Sequence, residues 1–236
     1  MNLNKHSVWN KIKNRWLGGF PRVSYSRSGE DLIIEEFFRN KMSGFYVDIG
    51  AYHPIDHSNS YKYYLKGWRG INIDPSIETI DSFNKVRPED VNLNIAIGEA
   101  RGSGSYFIFK NDASMNTISE NFYKESEVKH SLLLQEKREV KIDRLENVLK
   151  EYKPPTSKID FLSVDVEGSD LQVLQSNNWD IYRPQVLCVE VDADIFRISE
   201  NDICTYLASK SYSPVAYTFI NKEVGNVIFT DNSFAA

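Results

Sequence analysis

Cysteine is scarce in this chain: Cys188 and Cys204 are its two in 236 residues. That is too few for a disulfide framework, and their wide separation has none of the short spacing of a metal site. Cys188 lies inside the apolar run QVLCVEV and reads as a buried structural thiol. No apolar stretch is long enough to span a bilayer. The start, MNLNKHSVWNKIKNRWLGGF, lacks the unbroken apolar segment of a secretory signal, so a cytoplasmic location is expected. Positive charge is in deficit, with 28 Lys and Arg against 33 Asp and Glu and a net charge of -5, which argues against a general nucleic-acid binder. Repeats and low-complexity tracts are also missing. Glycine is sparse where a dinucleotide fold needs it most. FYVDIGAYHP at 45–54 carries Gly50, but the second and third glycines of G-x-G-x-x-G are absent.

What remains is a chain with 41% hydrophobic residues, enough for one sizeable α/β domain with a real core. Its first 22 residues stand apart. Lys5, Lys11, Lys13, Arg15 and Arg22 are basic, and no acid precedes Glu30. Val8, Ile12 and Trp16 would share one helical face, flanked by Trp9 and Leu17. Residues 1–22 are thus expected to form a basic amphipathic helix. Its stretch 5–17 could lie on the inner membrane's anionic surface, dock on another protein, or pack on its own domain or a second subunit of a homo-oligomer.

Residues 23–236 read as one domain. Five apolar runs, FYVDIG, GINIDP, NLNIAIG, IDFLSVDVEG and PQVLCVEVD, alternate with helical stretches. Continuous rather than alternating apolar runs are expected of parallel strands covered on both faces. The pattern predicts an α/β fold: a doubly wound, mostly parallel sheet of about seven strands. Ser76 is placed to cap a helix through about Lys85, Ser169 one through about Ser176, and Asp143 with Glu146 has capping-box spacing. Pro154-Pro155 stops the helix that follows. The stripe Tyr61, Tyr64 and Trp68 is expected in the core. The tail, YSPVAYTFI and VGNVIFTD, reads as a C-terminal antiparallel hairpin with its turn near Asn221-Lys222-Glu223. Residues 102–140 break the alternation and are expected to hold an extra strand (SYFIF) and a mobile, lid-like polar loop.

Asp48 just before the glycine turn would repel a pyrophosphate. S-adenosylmethionine carries no phosphate; its ammonium and sulfonium groups would be attracted. A turn of Gly50, Ala51 and Tyr52 then needs only one glycine. Asp74, before Pro75, ends the second run and is placed to accept hydrogen bonds from ribose hydroxyls. Asn94 and Ala96 in the third run lie where an adenine would sit. Asp165 and Glu167 end the fourth run, directly before a helix.

The stretches YSRSGEDLII, FYVDIGAYHP, SNSYKYYLKGWRGINIDP, NIAIG, IDFLSVDVEGSDLQVLQ and PQVLCVEVD resemble the FkbM family of S-adenosylmethionine-dependent methyltransferases over roughly residues 24–195. The resemblance implies the class I methyltransferase (Rossmann-like) fold. It also implies O-methylation of sugars, polyketides or other natural products, and the His53-Pro54 variant resembles members tied to surface-polysaccharide biosynthesis. A saccharide or other small-molecule acceptor follows. Arg27 departs from the Gln common in the family's Y-S-Q-x-G-E-D.

Methyl transfer to a hydroxyl needs a base or a metal to deal with its proton. The strand ends offer His53, Asp165 and Glu190 as catalytic candidates. Asp165, Glu190 and Asp192 could hold Mg²⁺ or a similar hard cation. Glu30 is a further cofactor candidate. His57, Ser58, Asn59, Ser114, Met115, Asn116, Thr117 and Glu167 are candidates for acceptor binding; His130 lies in the lid. Two other readings stand beside this one: a catalytically inactive scaffold in a glycan-assembly complex, and an NAD-dependent oxidoreductase, which the missing glycines and Asp48 disfavour.

Overall fold

The computed structural model describes residues 22–193, 195–221 and 223–234. Most of the expected N-terminal helix therefore lies outside the described residues. Arg22 is described, and its guanidinium donates to Glu35 and Glu36, each at 2.7 Å.

Ten strands are present among the described residues: β1 (Phe45–Ile49), β2 (Arg69–Asp74), β3 (Val91–Asn94), β4 (Ala96–Ile97), β5 (Gly102–Phe109), β6 (Leu134–Asp143), β7 (Phe161–Val164), β8 (Val186–Val191), β9 (Tyr212–Phe219) and β10 (Gly225–Asp231). The helices are α1 (Glu30–Phe37), α2 (Tyr61–Leu65), α3 (Ile77–Val86), α4 (Glu120–Lys129), α5 (Leu145–Tyr152), α6 (Asp170–Gln175) and α7 (Asp202–Ser209). Seven strands form one sheet in the order β3-β2-β1-β7-β8-β10-β9. The first five run parallel. The hairpin β9–β10 closes it antiparallel. This is the doubly wound sheet with a C-terminal hairpin expected of a class I methyltransferase. Pro214 is tolerated in β9 because that strand lies at the sheet's edge.

Strand periodicity sorts side chains between two cores. Val47, Ile49, Ile71, Ile73, Leu162 and Val189 join Leu149, Val173 and Leu207 from the helices on one face. Tyr46, Phe161 and Cys188 join Ile34, Tyr63 and Trp68 on the other. Burying each such side chain contributes about 1.5–3 kcal/mol. The chain order reverses between β1 and β7, so their carboxyl ends open the crevice where sheets of this kind bind ligands. Among the described residues no helix is long and apolar enough to cross a membrane.

Four local expectations change. NLNIAIG is not one strand: the chain leaves the main sheet after Asn94, and Ala96–Ile97 pairs with β6 in a second sheet, β4-β6-β5. Residues 102–140 form a folded arm, a β5–β6 pairing with α4 between, rather than a loop. Asp143 does not make a capping box with Glu146. It accepts from the Arg144 amide (2.8 Å) while Ser176 caps the helix from a distance, its hydroxyl accepting from the Leu145 amide (3.0 Å). In the aromatic stretch Tyr63 and Trp68 are buried, and Tyr61 and Tyr64 only partly, because α2 is a short helix whose register turns Tyr63 inward. Ser76 does cap α3, accepting from the Thr79 amide at 3.1 Å.

Candidate active site

β1 ends in a turn that only glycine can make. Gly50 has φ 75°, and a Cβ there would stand 1.7 Å from the Asp165 carbonyl oxygen. Its amide donates to Ile73 O at 2.9 Å, and the Ala51 amide to the same oxygen at 3.2 Å. Tyr52 follows in the left-handed region, φ 48°. Its amide donates to Asp74 Oδ2 at 3.2 Å, and the Ser76 amide to Asp74 Oδ1 at 2.7 Å. The turn, Asp74 and the start of α3 are thereby locked together. Burial pushes the Asp74 carboxyl up to about 6 against the pull of those two amides.

A cavity of about 230 Å³ opens beside this lock. Gly50, Tyr52 and Asp74 line one part; Pro75, Ile95 and Ala96 another. The folded arm adds Tyr106, Ser114, Asn116 and Ile118, and Asp165 and Glu167 close the end towards β7. Apolar walls suit a purine, the Asp74 carboxylate suits a ribose, and the space that a Cβ at Gly50 would fill suits close backbone approach. The residues present therefore fit S-adenosylmethionine.

Several predicted residues lie elsewhere. Asp48 shares the face of Tyr46 by strand alternation and is buried under α2, where its Oδ2 accepts from the Ser60 hydroxyl. Ser58 is buried beside it, its Oγ accepting from Arg87 Nη2 at 2.6 Å. Asn59 donates to Ser163 Oγ at 3.0 Å. Glu30 is fully buried and ties α1 to the hairpin, accepting from Thr218 Oγ1 (2.6 Å) and Asn226 Nδ2 (3.0 Å). Burial raises its carboxyl, yet those hydrogen bonds outweigh the rise and leave it lowered. Asn94 is exposed and donates to Pro75 O at 2.9 Å, outside the cavity wall. His53 Nδ1 accepts from the amides of Ile55 (3.2 Å) and Asp56 (2.9 Å). The neutral ring then carries its proton on Nε2, so neither nitrogen offers a free lone pair for a base. His57 stacks on Tyr52, ring centroids 6.2 Å apart, and lines neither this cavity nor the next.

The strand-end acids do meet. Asp165, Glu167 and Glu190 each place a carboxylate oxygen within 4.8 Å of the others. Asp192 is exposed and not part of this group, so Glu167 stands where Asp192 was expected among the cation ligands. Burial, then repulsion from Asp170, pushes Asp165 up to about 7. Burial and repulsion from Asp165 hold Glu167 and Glu190 well above the usual carboxyl range. The oxygen-only donor set fits a hard divalent cation.

A second cavity, about 390 Å³, lies on the far side of Glu167. Glu190 and Asp170 line its base. Ser126 and His130 come from the arm, Asn201 from the start of α7, and Asn221 from the hairpin turn. Arg27 also lines it, and its charge pulls all three clustered acids down. The departure noted at Arg27 thus falls on the site. Tyr106, Arg27 and Asp170 were not singled out as site residues. The apolar run SYFIF gave the strand but not its partner, and Asp170 reads as an ordinary first-turn helix acid.

No curated protein matches the chain at a significant level. It is similar in structure to the C-terminal domain of precorrin-6Y C5,15-methyltransferase from Rhodobacter capsulatus, with 10% identity, 85% of this chain and 86% of that one covered, and a TM-score of 0.41. It is likewise similar to a TehB-like SAM-dependent methyltransferase from Corynebacterium glutamicum, with 11% identity, 96% and 98% coverage, and a TM-score of 0.40. The family model described as the methyltransferase FkbM domain matches residues 48–214, well over half of the chain. The chain belongs to the FkbM methyltransferase family and is an S-adenosylmethionine-dependent methyltransferase.

Proposed function

We propose that this enzyme moves a methyl group from S-adenosylmethionine to a hydroxyl of a saccharide or glycan precursor. One observation carries the reading: the largely apolar cavity beside the Gly50 turn and a second cavity of mixed polar and apolar lining meet at a cluster of three carboxyls. The second cavity falls within the size range of small-molecule sites. Its amide, hydroxyl and carboxylate side chains suit a ligand rich in hydroxyls, both as donors and as acceptors. Methyl transfer is an in-line displacement, so positioning supplies much of the rate. The hydroxyl proton must still leave, and the carboxyls at the junction are suited to take it.

The cofactor, when bound, supplies the activated methyl. Asp74 would hold its ribose, Pro75, Ala96 and Tyr106 would flank its adenine, and Gly50 would let its amino-acid end approach the backbone. A Mg²⁺ ion among Asp165, Glu167 and Glu190 would lower the hydroxyl pKa instead. Turnover that survives EDTA assigns the proton to the carboxyls alone.

The test is methyl transfer from labelled S-adenosylmethionine to a panel of methyl glycosides, nucleotide sugars and oligosaccharides, with products identified by mass. Transfer to a saccharide is expected. Binding of S-adenosylhomocysteine with no transfer to any member would instead support the scaffold reading. Transfer confined to a non-sugar hydroxyl would remove the saccharide assignment.

A further inference from the structure

Glu167 lines both cavities, and among the described residues no other lines the two. Its backbone is in the left-handed region, φ 53°, which costs a non-glycine residue stability and persists only where the surroundings impose it. The surroundings here do so. Thr117 Oγ1 donates to the Glu167 carbonyl at 2.7 Å. Gly168, at φ 86°, is pressed on the arm, and a Cβ there would come 2.9 Å from the Phe122 Cβ. The arm therefore holds both Glu167 and Gly168 in place just beyond β7, with Glu167 at the junction of the two cavities.

Glu167 belongs to the group of three acids, with a carboxylate oxygen within 4.8 Å of one from Asp165 and one from Glu190. Asp165 lines the first cavity and Glu190 the second, so of the three acids Glu167 is the one placed between donor and acceptor. Resting on the O-methyltransferase reading above, we propose that Glu167 is the general base. Its carboxylate takes the proton of the acceptor hydroxyl while the hydroxyl oxygen forms a bond to the methyl carbon. The carbon–sulfur bond breaks, its electron pair stays on sulfur, and the positive sulfonium becomes a neutral thioether. The proton ends on Glu167.

The deciding variant is Glu167→Gly, because glycine accepts the left-handed backbone and leaves room for an added carboxylate. Three results are expected. Its melting temperature equals or exceeds the wild type's, since the strain is gone. Its affinity for S-adenosylhomocysteine, by calorimetry, stays within about threefold of the wild type's, less than a single lost hydrogen bond would cost. With the methyl glycoside that the wild type methylates fastest, kcat falls roughly 10²–10⁴-fold, and added acetate restores part of it. A clear drop in melting temperature or lost homocysteine-product binding would make Glu167 a structural or cofactor residue and overturn the proposal. So would near-normal kcat, or no acetate response. If the wild type methylates no saccharide, the proposed function fails instead, and the melting and binding measurements still bear on Glu167 alone.

Discussion

Two groups of carboxyls sit along the same sheet, one buried and one half-buried, and they are built on opposite terms. Asp48 and Asp90 lie in the field of Arg87, which is fully buried, and are linked to it through the Ser60 hydroxyl and the Asn72 amide. Asp90 accepts from the Gly70 amide (2.9 Å), Asn72 Nδ2 (3.0 Å) and the Tyr46 hydroxyl. Arg87 donates through Nε to Pro54 O (2.8 Å) and through Nη1 to Ser60 Oγ (2.7 Å), and its guanidinium carbon lies 4.9 Å from the Phe83 ring. The Asp165, Glu167 and Glu190 group has no such cation inside. Arg27, which is exposed, pulls on it from the rim. Burial raises the proton affinity of the acids in both groups. What marks the site is that its acids are crowded together beside cavities, with Arg27 pulling on them only from the rim.

The comparison is broken most forcefully at Arg87. Replacing it with methionine (Arg87→Met) strands Asp48 and Asp90 in the interior, and stability is expected to fall by about 3–5 kcal/mol. Urea unfolding measures it, and a loss below about 1 kcal/mol would show that the carboxyls do not depend on the cation. Asp165→Asn should behave in the reverse sense. It removes a repelled acid, so the melting temperature holds or rises at pH 8, while kcat falls roughly 100-fold or more because a carboxyl within 4.8 Å of Glu167 is lost from the junction of the two cavities. Full turnover in that variant would take the cluster out of the chemistry.

The two groups also divide what the sequence made legible. Apolar runs gave the strands, and with them Asp74 and Asp165, because a side chain at a strand end faces the rim whatever packs on the faces. Asp48 looked equivalent, yet it lies inside the strand, where the period of two sends it to the α1–α2 side. Recognising it as structural requires knowing that Ser60 lies over it, which the folded chain alone decides. Glu30 is the same case: its partners Thr218 and Asn226 lie 188 and 196 residues away in sequence. Tyr106 was hidden because β5 belongs to a second sheet that no periodicity announces. Glu167 was visible in D-V-E-G, but its left-handed backbone, followed by Gly168, was not.

Smaller in effect is Asp74→Ala. Two amides hold that carboxylate in place before any ligand arrives, so the variant should keep the fold and lose ligand contacts. S-adenosylhomocysteine binding is expected to weaken by about 10–100-fold, the worth of one or two hydrogen bonds to a charged group. Unchanged affinity by calorimetry would remove the ribose assignment and leave the cavity without its anchor.

The finest discrimination comes from pH. Burial, then repulsion from Asp170, raises Asp165 to about 7, burial raises Asp170 to about 6, and Glu167 and Glu190 stand well above the ordinary carboxyl range. A carboxyl raised on folding binds its proton more tightly in the native state. Its stabilising contribution is complete below the unfolded value, near 4, and is lost as pH climbs through the folded values. Glu78 works the other way: hydrogen bonds from Arg138 lower it to about 2, so its contribution fades only in stronger acid. Between about pH 4.5 and 7.5 the raised acids therefore govern, and the wild type should lose on the order of a few kcal/mol as pH rises. Urea unfolding at several pH values measures the slope. In Asp165→Asn the slope should flatten, because the titrating acid and its repulsion on Glu167 and Glu190 are both gone. Arg27→Gln should steepen it slightly, since an exposed cation that pulls the three acids down has been lost. A slope identical in all three proteins would mean that these acids are solvated in solution, and the contrast with the Arg87 group would no longer hold.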